Sequence, residues 1–137
     1  MRNYTEYESQ FISSFVEHTS IGNIIREQLS TALLEREYCQ TSCFVSIDAN
    51  KLASPLGNIS GVPFEVIIDP VADWDEVIFC NERSSINISE DAVASMLHFK
   101  NGFICELEIY SPAGKPLNIN APLRGIKIVI ELDSVIT

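Results

Sequence analysis

Basic residues are scarce in this chain of 137 residues: nine Lys and Arg stand against nineteen Asp and Glu, for a formal charge of −10. Binding a phosphate backbone relies on Lys and Arg displacing condensed counterions, so this balance argues against direct contact with nucleic acid or an anionic membrane. Long apolar runs are missing too. No stretch approaches the roughly 18 to 20 uninterrupted apolar residues of a membrane span. The segment Met1 to Gln10 carries one Arg and two Glu with no apolar core, unlike a secretory signal. A cytosolic protein is expected. Histidine is limited to His18 and His98, the two side chains able to act as general bases near neutral pH. No P-loop, GxGxxG, GxSxG or HExxH pattern occurs, which removes the common nucleotide-binding, serine-hydrolase and zinc-protease machinery. Cysteine is present, but Cys39 and Cys43 form the one close pair, and neither Cys80 nor Cys105 has a partner at zinc-site spacing. In a reducing compartment such thiols read as small buried hydrophobes.

What is there is an ordinary globular composition, 46% hydrophobic, 9% aromatic and 20% charged, with six Gly and six Pro. That excludes a disordered, collagen-like or coiled-coil chain and fits a single domain large enough to bury its own core. The first part reads as helical over 4–38. Thr5 and Glu8 have capping-box spacing, and Tyr7, Phe11 and Phe15 make an apolar stripe with Ile12 and Val16 beside them. His18, Thr19 and Ser20 interrupt it. Ser20 is placed to cap a second helix that carries Ile21, Ile24, Ile25, Leu29, Ala32 and Leu33 to about Tyr38. Two helices joined by a short break resemble a DNA-binding pair in outline, but Glu17, Glu27, Glu35 and Glu37 outnumber Arg26 and Arg36 on the polar side, which excludes that role.

From residue 43 to 134 the chain reads as β-rich. Phe44 to Asp48, Phe64 to Ile68 and Glu76 to Cys80 are short strand candidates, with a loop over Ala53 to Pro63 and an irregular polar stretch over Arg83 to Asp91. Val93, Ser95, Leu97 and Phe99 alternate with Ala94, Met96 and His98. Asn101-Gly102 then supplies a tight turn, and the alternation resumes on the return strand, which predicts a β-hairpin. A proline-bearing loop leads to a last strand over Ile126 to Leu132. The expected architecture is α+β, with the N-terminal helices packed on a mostly antiparallel sheet of four to six strands.

Alternation also assigns faces. With Phe103, Cys105, Leu107 and Ile109 toward the core, Ile104, Glu106, Glu108 and Tyr110 point outward. With Ile126, Ile128, Ile130 and Leu132 inward, Lys127, Val129, Glu131 and Asp133 lie outside. The sheet is thus expected to have one apolar face under the helices and one acidic face. Charges on an exposed strand usually serve solvation alone; acids beside exposed aromatic and aliphatic groups resemble an interface more closely. The turn Asp69-Pro-Val-Ala-Asp-Trp-Asp75 with Glu76 lacks the Gly and the terminal Glu of an EF-hand loop and reads as an acidic turn rather than a metal site. Trp74 within it has the character of an interface anchor. Cys105 and His98 are expected on opposite faces, which argues against a nucleophilic pair. No catalytic residue, metal or cofactor is expected.

The segment Asn101-Gly-Phe-Ile-Cys-Glu-Leu-Glu-Ile-Tyr110, followed by Ser-Pro-Ala-Gly-Lys-Pro116, resembles a tail found in small bacterial proteins, where a strand of the form NG-x-x-x-ELEIY precedes a DG-x-P turn. Ala113 stands where that tail usually has Asp, and the likeness runs from about Val62 to Leu117. Proteins with this tail include immunity proteins of contact-dependent growth inhibition and related polymorphic toxin systems. The resemblance implies a partner, the C-terminal domain of a cognate toxin delivered by neighbouring bacteria. Such toxins are often nucleases, tRNA being one substrate, and their basic substrate channels suit an acidic inhibitor. The candidate toxin-binding residues are Asp73, Trp74, Asp75, Glu76, Glu106, Glu108, Tyr110, Glu131 and Asp133. The competing expectation is a small cytosolic ligand-binding protein or enzyme with a pocket between helices and sheet.

Overall fold

The computed structural model describes residues 4–30, 33–71, 75–82 and 86–132. Two helices, α1 (Glu6–His18) and α2 (Gly22–Leu29), precede seven strands: β1 (Leu33–Cys39), β2 (Ser42–Asp48), β3 (Phe64–Asp69), β4 (Val77–Cys80), β5 (Val93–Lys100), β6 (Phe103–Tyr110) and β7 (Ile126–Glu131). The strands form one sheet in the order β1-β2-β6-β5-β3-β7-β4. Every neighbouring pair is antiparallel except β4 with β7. The α+β class with helices on a mostly antiparallel sheet is therefore as expected, with one strand more than the upper estimate. Among the described residues, no helix is long and apolar enough to cross a membrane.

The capping box forms as the spacing predicts: the Glu8 amide donates to Thr5 Oγ1 at 3.3 Å and the Thr5 amide to Glu8 Oε1 at 3.2 Å. The apolar stripe of α1 buries Tyr7, Phe11 and Phe15, and α2 adds Ile25 and Leu29. These pack on Cys43, Val45, Ile47, Val66, Ile68, Leu97, Leu107, Ile109 and Val129 of the sheet. Gly22 at the start of α2 lies so close to the Val16 carbonyl that a Cβ there would overlap it, so glycine sets how near the two helices run.

The second helix is shorter than the sequence suggests. It begins at Gly22 with Ile21 as an N-cap that makes no side-chain hydrogen bond, so Ser20 does not serve, and it ends at Leu29. Residues 33–39 are not helix but the edge strand β1, paired with β2 from Leu33↔Asp48 to Cys39↔Ser42. The stretch Glu35-Arg36-Glu37 satisfies two periodicities, and the long-range ladder with β2 outweighs a helical preference worth only tenths of a kcal/mol per residue.

Two face assignments are corrected. Pairing of β5 with β6 runs His98↔Glu106 and then Phe99↔Ile104, so Cys105 is an extra residue in a β-bulge. The bulge reverses the inside–outside order before it: Ile104 is buried and Cys105 exposed, while Leu107 and Ile109 stay inside. In β7 both sides are covered. Val129 joins the helix-side core, whereas Ile128 and Ile130 join Ile67, Ala92 and Ala94 in a smaller core on the other face, against which Ile86 and Ile88 pack. Strand β3 is accordingly buried at all six positions. The face away from the helices is therefore not uniformly acidic: it is apolar and covered around β3, β7 and β4, and polar across β1, β2 and β6.

The hairpin turn is of the expected kind. Asn101 and Gly102 both take positive φ, 52° and 85°, the geometry of a type I′ turn. It is anchored from α2 by the fully buried Gln28, whose Nε2 donates to the carbonyls of Gly102 (2.9 Å) and Ser54 (3.0 Å) and whose Oε1 accepts from the Ile104 amide (2.8 Å).

Candidate functional site

The polar part of the outer sheet face follows directly from the register. Cross-strand partners line up as Glu37–Phe44–Glu108–Met96–Glu65 and as Glu35–Ser46–Glu106–His98. Their sequence neighbours Val45, Leu97, Leu107 and Ile109 are in the helix-side core, so these two rows face the opposite way. Because side chains alternate on β1, Glu35 and Glu37 join this face while Arg36 turns to the helices. There its guanidinium meets the fully buried Glu8, Nε to Oε2 at 2.7 Å and Nη2 to Oε1 at 2.6 Å. The one basic residue of the segment is thereby withdrawn from the acidic face.

A cavity of about 390 Å³ opens on this face, lined by Glu35, Arg36, Glu37, Phe44, Ser46 and Glu106. A second, of about 310 Å³, adjoins it through Glu35 and Ser46 and extends to Asp48. Phe44 is half-buried while Glu35, Glu37, Ser46 and Asp48 are exposed, which makes an aromatic floor with an acidic rim. Beside it His98 Nε2 lies 2.9 Å from Glu108 Oε1 and 3.8 Å from Glu106 Oε1. Farther along, the Tyr110 hydroxyl donates to Oε2 of the buried Glu65 at 2.6 Å. This arrangement suits a cationic guest: carboxylates to pair with Lys or Arg, and an aromatic ring on which a guanidinium can stack.

Of the residues expected to bind a partner, Glu106, Glu108 and Tyr110 are brought together here. The others are not. Asp75 and Glu76 are exposed at the foot of β4, the opposite edge of the sheet, where Asp75 Oδ1 lies 3.8 Å from Lys127 Nζ and the Glu76 carbonyl accepts from the Lys127 amide. Glu131 is on the helix side, lining a small cavity with His18, Phe79 and Cys80. Asp73, Trp74 and Asp133 lie outside the described residues. Asp69 is structural. It is buried and accepts from the Ser89 amide (2.7 Å), the Ser89 hydroxyl (2.5 Å) and the Val71 amide (3.2 Å), which ties the strand end to two loops.

Glu35, Glu37, Phe44, Ser46, Glu65 and His98 were not predicted as part of the site. A signal for two of them exists in the chain: Glu35-x-Glu37 is a strand spacing that places both carboxylates on one side. Cys105 and His98 are closer than expected, but the thiol donates to the His98 carbonyl at 3.5 Å rather than to its ring. Burial, with Glu106 adding to it, pushes the Cys105 thiol above its ordinary range, the reverse of what an activated nucleophile needs. His98, Glu106 and Glu108 are the group among the described residues whose donor atoms converge closely enough to hold a metal ion.

No family model, curated protein or solved structure matches this chain.

Proposed function

We propose that this chain is an immunity protein, which binds the C-terminal domain of a cognate toxin in the cytosol and blocks its active site or substrate path. The observation that carries the reading is the outer sheet face: Glu37 and Glu108 flank Phe44 in one cross-strand row and Glu35 and Glu106 flank Ser46 in the next, while the Arg36 guanidinium is engaged by Glu8 on the helix side. A rigid sheet presents this pattern without prior ordering, which favours tight binding to a preformed basic surface. The formal charge of −10 accelerates encounter with such a partner and disfavours nucleic acid as a direct ligand. A nuclease toxin, whose substrate channel must itself attract phosphates, is the partner class that fits best, and the tail resemblance around Asn101–Tyr110 is consistent with it.

The test is to look for a large exported protein encoded directly upstream and to co-express the C-terminal domain of that product with this chain. Bacteria making that domain alone stop growing, whereas bacteria making both proteins grow, and the two purify as a complex. A neighbouring product that is neither toxic nor bound contradicts the reading and returns the small-ligand alternative to first place.

A further inference from the structure

We propose that His98, Glu106 and Glu108 form a binding site for a first-row transition dication, with Zn²⁺ as its natural probe. The inference does not depend on what protein the acidic face binds. One donor atom from each residue lies within 4.8 Å of the other two, and the closest approaches to His98 Nε2 are 2.9 and 3.8 Å. Two ligands bonded to Zn²⁺ at about 2.0–2.1 Å stand about 3.3–3.4 Å apart at a tetrahedral angle. That spacing falls between the two distances present, so small side-chain rotations seat an ion among the three.

The donor set selects the metal. An imidazole nitrogen beside carboxylates suits Zn²⁺ and its neighbours in the series, whereas Mg²⁺ and Ca²⁺ prefer oxygen alone. The three side chains expose 31, 35 and 21% of their surface. They are shielded enough to strengthen their pull on a cation, yet open on the solvent side, where further ligands complete the coordination. Both glutamates lean on the same imidazole, and Glu35, Glu37 and the buried Glu65 lie in the same two cross-strand rows. A dication among them relieves the like-charge repulsion between these carboxylates.

The chain offers a clean readout, because it contains two histidines and their imidazole signals separate by nuclear magnetic resonance. Titrating the full chain with Zn²⁺ is expected to give one saturable site per chain, to shift the His98 Nε2 signal and to leave His18 unmoved. His98→Ala and the isosteric Glu108→Gln each weaken binding by at least about tenfold, as loss of one of three protein ligands should. Glu35→Gln with Glu37→Gln removes two negative charges from the same face, against one for Glu108→Gln, and changes binding by no more than about twofold, since exposed charges are screened. Excess Mg²⁺ does not displace the ion. Absence of saturable binding overturns the proposal. So does Zn²⁺ binding that survives in folded His98→Ala and Glu108→Gln chains, or that falls equally in the Glu35/Glu37 variant, which would show diffuse attraction rather than coordination. Failure of the chain to bind any toxin leaves each of these outcomes unaffected.

Discussion

Arg36 on the edge strand makes a two-point ion pair with Glu8 in the first turn of α1, with both bonds at 2.7 Å or less and the carboxylate wholly buried. The same carboxylate closes the capping box on Thr5. One side chain therefore starts the helix and fastens the sheet edge to it. Replacing Arg36 by Ala leaves a buried carboxylate without its counter-charge, a loss of about 3–5 kcal/mol for pairs of this kind. Denaturant unfolding should show a loss of that order, and Glu8→Gln in the Arg36→Ala background should recover part of it.

Much of the fold was legible because local chemistry and tertiary pairing agree in it. Thr5 with Glu8, the Tyr7–Phe11–Phe15 stripe and the Asn101-Gly102 turn each specify one local geometry, and each forms. The misread parts are those where the deciding partner is remote. Residues 33–39 become a strand because β2 pairs with them, and nothing local distinguishes that from a continued helix. The bulge at Cys105 is invisible in a run that alternates plausibly in either register. Alternation in β7 showed two sides but not that both would be covered, because the residues over Ile128 and Ile130 come from the loop before β5. The candidate site divides the same way: the hairpin alternation puts Glu106 and Glu108 on the outer face, whereas a helical reading through Tyr38 hides that Glu35 and Glu37 share it.

Gln28 satisfies three backbone groups from a fully buried position. Gln28→Ala strands the Ile104 amide, at about 1–3 kcal/mol for a buried group left unpaired, while the Gly102 carbonyl keeps its bond from the Leu56 amide at 2.7 Å. Hydrogen exchange at the Ile104 amide should quicken well beyond that at Leu107 in the same strand. Equal protection in parent and variant would show that Gln28 does not hold the turn.

Burial pushes the Cys43 thiol from 9.0 up to about 11. The folded chain thus keeps this proton to higher pH than the unfolded chain does. The stability it contributes is complete below about pH 9 and is lost as pH rises through about 11. Tyr4 and Tyr7 are raised by burial as well and act in the same direction. Unfolding midpoints measured from pH 8 to 11 should fall, less steeply in Cys43→Ala. Under native conditions a thiol reagent should modify exposed Cys39 and Cys105, and reach Cys43 only on unfolding.

The proposed division of the acidic residues is tested most directly by comparing toxin dissociation constants for two variants, Glu106→Ala with Glu108→Ala on the outer face and Asp75→Ala with Glu76→Ala at the β4 edge. The outer-face pair should weaken binding by about 2–5 kcal/mol, chiefly through faster dissociation, as expected of central carboxylates paired with Arg or Lys. The edge pair should change it by less than about 1 kcal/mol, mostly through association at low salt. An outer-face variant that folds, binds and protects growing cells like the parent would contradict the account and place the interface elsewhere on the molecule.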